Sequence, residues 1–127
     1  MGSKGPVAAM LALAVVTACG GAKKADDALR DDVSRAASQV RVSAGDAELR
    51  TSLAALRADR PESPEGRKAR RLAIAGLRAT LAARASRRAF TQNDSGNVAA
   101  ATRDAKRAYR ASRRGAALLR AAQRALD

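Results

Sequence analysis

The chain has 127 residues, with 25 Lys and Arg against 12 Asp and Glu for a formal net charge of +13, a single cysteine and no histidine. That inventory excludes an internal disulfide, a Cys/His zinc site and any catalytic pair or triad built on histidine. Aromatic residues make up only 2% of the sequence and alanine dominates the apolar content, which favours helices over strands throughout.

The N-terminus has a charged start at Lys4, an apolar stretch from Val7 to Val16, and small residues before Cys19. This is the three-part build of a secretory signal peptide, and at about a dozen apolar residues it falls short of the roughly twenty needed to span a bilayer. Pro6 and Gly20-Gly21 fence the segment off, which favours a removable signal over a buried helix with Cys19 as a small core residue. Val16-Thr17-Ala18-Cys19 resembles the lipobox of bacterial lipoproteins. The resemblance implies export, diacylglycerol attached to the Cys19 thiol, cleavage between Ala18 and Cys19, and anchoring at the extracytoplasmic face of a bacterial membrane. No other cofactor is expected, and no family resemblance extends into the mature chain.

Removing residues 1–18 from the 127 leaves 109, enough for one small domain. Residues 19–21 form the lipidated cysteine and a short tether, and Gly20-Gly21-Ala22 can extend only about 10 Å. The remainder, 22–127, reads as an all-α bundle of three long antiparallel helices over about 22–59, 64–92 and 96–126. In the first, Leu29, Val33, Ala36 and Val40 share a face. Leu49, Leu53 and Leu56 fall on nearly the opposite face, so an interruption is placed at Ser43-Ala44-Gly45-Asp46, which supplies both a weak helical residue and a potential new cap. Asp26, Asp27, Asp31 and Asp32 are the densest acidic cluster. The spacings of Asp26 to Arg30 and Asp31 to Arg35 suit helical ion pairs, so the cluster reads as a solvated face and not as a metal or acid/base site. No enzymatic activity is expected.

Arg60-Pro61-Glu62-Ser63-Pro64 ends the first element, and Ser63, Pro64 and Glu65 are a good start for the second. That helix shows two apolar stripes, Ile74, Leu77, Leu81 and Ala85 against Leu72, Gly76, Ala79, Ala83 and Phe90, which predicts a central helix touched on two sides. Thr91 to Gly96 reads as a turn, including the glycosylation-like triplet Asn93-Asp94-Ser95, and Asp94 or Ser95 is expected to cap a last helix about 45 Å long. Large apolar residues are few, so the bundle is expected to pack loosely or to be completed by a partner protein or a second copy.

Charge is unevenly divided. Cys19 to Asp59 balances seven basic residues against seven acids, whereas seventeen basic residues face five acids from Arg60 onward. In the last helix Arg103, Lys106, Arg107, Arg110, Arg113, Arg114, Arg120 and Arg124 fall within an arc of about 140°, opposite Val98, Ala101, Ala105, Ala108, Ser112, Ala116 and Leu119. With Lys23 and Lys24 beside the tether, this stripe is the candidate contact for anionic headgroups or acidic envelope polymers. Insertion of the helix into a bilayer is disfavoured by its alanine-rich apolar face. Asn97, Ala100, Ala101 and the arginines that follow faintly resemble the basic region of leucine-zipper factors, but the spacing is off by one, Asp104 intrudes and no leucine heptad follows. Nucleic acid is therefore not the expected partner. Two further readings stand beside these: an Ala-rich structural lipoprotein packed on a partner protein, and a plain solvated face enriched in arginine by base composition.

Overall fold

A computed structural model describes residues 24–92 and 96–127. The signal segment, Cys19, Lys23 and Asn93 to Ser95 lie outside the described residues. Among those described the chain is all-α, with α1 over 24–41, α2 over Asp46–Ala58, α3 over Pro64–Gln92 and α4 over Val98–Ala125.

The expected first helix is two helices. Ala44 N–H donates to Gln39 C=O at 2.8 Å and Ser43 N–H to Val40 C=O at 3.2 Å, which is the Schellman pairing that closes a helix. Ser43 takes the left-handed position at φ 56°, while Gly45 stands in extended backbone as the N-cap of α2. The break foreseen at Ser43 to Asp46 is thus a full reversal. Asp46 does not cap α2 and instead meets Arg84 and Arg88 of α3 at 3.0 and 2.6 Å. The reversal explains why Leu29, Val33 and Ala36 and the oppositely phased Leu49, Leu53 and Leu56 are all buried: each helix turns its own stripe into a shared core.

Cross-helix contacts fix the topology. Ser52 Oγ donates to Gln39 Oε1 at 2.5 Å, running α2 back along α1, while Arg70 on α3 donates to the Leu56 and Arg57 carbonyls at 2.8 and 2.7 Å and so caps the end of α2. At the other end of α1, Arg30 Nη2 donates to the Leu126 carbonyl at 2.5 Å. The helices therefore run up, down, up and down. The start of α1, the α2–α3 connection and the end of α4 share one end of the bundle.

α3 begins as its sequence dictates, with Ser63 Oγ accepting from Gly66 N–H at 2.9 Å and proline at the first helical position. Its buried seam differs from both expected stripes: Ala69, Ala73, Gly76, Leu77, Thr80 and Ala83 face inward, Leu72, Ile74 and Leu81 are half-buried, and Ala85 and Phe90 are exposed. Small residues win because they allow close approach. A Cβ on Gly115 would stand 2.5 Å from Thr80 Oγ1 and 2.9 Å from the Gly76 carbonyl, and one on Gly76 would meet Leu119 Cγ at 2.9 Å. The α3 and α4 backbones thus cross at a glycine pair.

Asn97 caps α4, its side chain accepting from Ala100 N–H at 3.1 Å, while the expected caps Asp94 and Ser95 lie outside the described residues. Only Ala108, Gly115, Leu119 and Ala122 of α4 are buried. Of its expected apolar face, Val98 is 76% exposed and Ala105 is also exposed, because α1 and α2 are too short to cover that half of the long α3–α4 hairpin. No described helix is long and apolar enough to cross a membrane.

Candidate functional site

The basic residues expected on α4 all lie at the surface, but the fold divides them. Arg103, Lys106, Arg107, Arg110 and Arg114 form one wall of a groove between α3 and α4 whose floor is Ala79, Ala82 and Ala111, a concavity of about 540 Å³. A second concavity of about 520 Å³ continues it past Ala79 and Arg114 to Ile74 and Ala75, where Arg71 and Arg78 of α3 supply the facing wall. Alanine makes the groove, since a longer side chain on the floor would fill it.

The remaining candidates sit elsewhere. Arg113 lies over the exposed Tyr109 ring at 5.7 Å and donates to its hydroxyl at 3.1 Å, a cation–π pair on the flank of α4. Arg120 and Arg124 are exposed further along the helix and do not line the groove. Lys24 is exposed at the start of α1, at the bundle end where α4 finishes. Cys19 and Lys23 fall outside the described residues.

Arg71 and Arg78 were missed by the sequence reading. They stand seven residues apart, and with Ala75, Ala79 and Ala82 they share one helical face, but that face was obscured by assigning Ala79 to a buried stripe. The usable signal was an arginine pair at heptad spacing on a run of alanines.

Electrostatics separates the two sides of α3. Among the described residues the ion pairs are Arg35 with Asp32 at 2.9 Å and Arg84 and Arg88 with Asp46. The helical pairs expected for Asp26 with Arg30 and Asp31 with Arg35 do not form. None of the seven groove cations reaches a described carboxylate, so their fields add within the groove and attract anions. On the opposite side of α3, Arg84, Arg87 and Arg88 line a concavity of about 460 Å³ with the hydroxyls of Ser43, Thr80, Thr91 and Ser112. There the hydrogen bonds from Arg84 and then Arg88 hold the Asp46 carboxyl below its usual range, and Asp46 in turn offsets both guanidinium charges.

Acidic residues meet at the α1–α2 seam. Burial, and then the adjacent Asp32 carboxyl, push Asp59 up to about 7, with Arg70 acting in the opposite sense. Asp59 Oδ2 and Asp26 Oδ1 are buried without a hydrogen-bond partner. No group of three or more metal-ligating side chains occurs among the described residues. The groove lining consists of alanine, isoleucine, arginine and lysine, so the charge it presents is positive. Comparison with protein-family models, curated proteins and solved structures returned no significant match.

Proposed function

We propose that the protein is a non-catalytic, lipid-anchored component of a bacterial envelope whose basic helical domain binds anionic material next to the membrane. The observation that carries this reading is the groove between α3 and α4, where seven cations converge with no carboxylate partner among the described residues. Burying or crowding like charges costs free energy unless a counter-charge is supplied, so such a cluster is poised for an external anion. The lipobox resemblance supplies the location. A lipid on Cys19 would hold the bundle by the end from which α1 departs, leaving the groove open along the long axis of α3 and α4.

Two measurements test the parts separately. Mass spectrometry of the cell-derived N-terminus is expected to find acylated Cys19 as the first residue, and an intact chain starting at Met1 or Gly2 refutes the anchor. Binding to anionic vesicles or envelope polymer is expected to weaken with salt and to drop at least tenfold when Arg107, Arg110 and Arg114 are changed to glutamine. Unchanged binding in that variant returns the arginines to a solvated face. The exposed Phe90 and Val98 at the uncovered end of the hairpin favour a second role, packing on a partner protein, which crosslinking in intact cells tests.

A further inference from the structure

We infer that the groove takes a single extended phosphodiester chain lacking aromatic units, laid lengthwise between α3 and α4. This rests on the anion-binding reading above and assigns its ligand class.

Shape argues first. A flat bilayer surface touches the ridge of a helix, whereas these cations border a narrow concavity lined by alanine, from α4 alone over Arg103 to Arg110 and from both helices where Arg71 and Arg78 meet Arg114, a strip that a thin strand can follow along its length. Gly115 lies against Gly76 and Thr80, which fixes the antiparallel register of the two helices and sets Arg71 and Arg103 at opposite ends of a trough roughly 25 Å long. Along α4, Arg103, Arg107, Arg110 and Arg114 recur once per turn, about every 5.4 Å. An extended sugar- or polyol-phosphate strand places its charges at a similar interval, so about five phosphates would fill the trough.

Chemistry narrows the class. A phosphodiester is tetrahedral, and its two non-bridging oxygens diverge, so a phosphate beside Arg114 can also accept from Arg71 or Arg78, and one further along can accept from successive α4 guanidinium groups. A carboxylate presents both oxygens in one plane to one side. Arginine predominates on both walls, with Lys106 the single lysine, as suits fork-like recognition of phosphate. No aromatic side chain lines the trough, and Tyr109 is engaged by Arg113 outside it, so bases have no stacking platform.

The test uses the full-length lipoprotein in detergent and synthetic abasic phosphodiester oligomers of two to twelve phosphates, followed by fluorescence anisotropy. Affinity is expected to rise with length and level off near four to six phosphates, and to fall roughly a hundredfold between 50 and 200 mM salt, as displacement of about five counterions requires. Ala79→Leu with Ala111→Leu fills the floor without altering charge, and is expected to cut oligomer binding at least tenfold, and by more than it cuts binding to phosphatidylglycerol vesicles, with helical circular dichroism retained. Oligothymidylate of equal length is expected to bind no tighter than the abasic oligomer.

Equal oligomer binding by the floor-filled variant, or equal binding of polyglutamate with matched charge, overturns the phosphodiester trough and leaves the broader anion-binding reading standing. Loss of that broader reading is a different result, namely oligomer and vesicle binding both unaffected by the Arg107, Arg110 and Arg114 changes.

Discussion

Gly115→Ala is the sharpest probe of the α3–α4 crossing on which the groove depends. In an uncrowded helix interior the substitution would stabilise the protein by about 1 kcal/mol through propensity alone. At this crossing the new Cβ would lie 2.5 Å from Thr80 Oγ1, 2.9 Å from the Gly76 carbonyl and 3.2 Å from the Thr80 amide nitrogen. Two of those neighbours are backbone atoms and cannot rotate away, so the helices must part by about half an ångström to an ångström. Overpacking of this kind costs typically 1–3 kcal/mol, and the parted seam also loses dispersion contacts. The expected net effect is a destabilisation of about 1–2 kcal/mol, or a fall of about 5–10 °C in Tm, read by thermal and urea unfolding. Gly45→Ala is the control, because nothing lies within 4 Å of a Cβ there. Adding Thr80→Ala to Gly115→Ala should recover part of the loss, since it removes the closest atom. A wider crossing also shifts the two cationic walls, so phosphodiester binding should weaken in parallel. Unfolding of Gly115→Ala at or above the wild-type midpoint would refute the close backbone approach.

Two further predictions concern the α1–α2 half. Asp59 has a folded pKa raised to about 7 against 3.8 for the free side chain, so between about pH 4 and pH 7 the folded state holds a proton that the unfolded state has released. Stability should therefore decline as pH rises through that window and level off above it, by about 1–2 kcal/mol after discounting for solvent screening at a partly exposed site. Asp59→Asn should flatten the profile and exceed wild type at pH 8 but not at pH 4, whereas an unchanged slope in urea titrations would show that Asp59 is not the group responsible. Ser43→Gly should raise stability by about 0.5–1 kcal/mol, because glycine relieves the left-handed strain at φ 56° while losing some of the gain to unfolded-state entropy. A loss on that substitution would mean that the Ser43 hydroxyl makes a compensating interaction.

The sequence resolved more of the fold than of the site. Helical content followed from alanine, and the Ser63–Pro64 start and the core stripe of Leu29, Val33 and Ala36 followed from capping chemistry and a 3.6-residue period. The phase jump between Val40 and Leu49 revealed a break but not its angle. A positive φ at Ser43 closes α1 where a glycine signal two residues later had drawn attention to α2, and propensity alone does not specify a reversal. The α3 seam was misassigned for a related reason: hydrophobic periodicity weights Leu72, Ile74 and Leu81, while the packed interface rewards Ala69, Ala73 and Gly76 for letting backbones approach.

What the sequence alone determined is therefore composition-level and local: helices, the Ser63–Pro64 start of α3, and an excess of positive charge after Arg60. Which cations act together was decided only by tertiary structure. Arg71 and Arg78 are 25 or more residues from Arg103 in the chain, and no local rule places them on facing walls. The glycine crossing brings α3 and α4 close enough to do so, and the alanines between them leave the space. Charge is a property of residues, but a groove is a property of the distance between helices, and that distance is set by the smallest side chains at their contact.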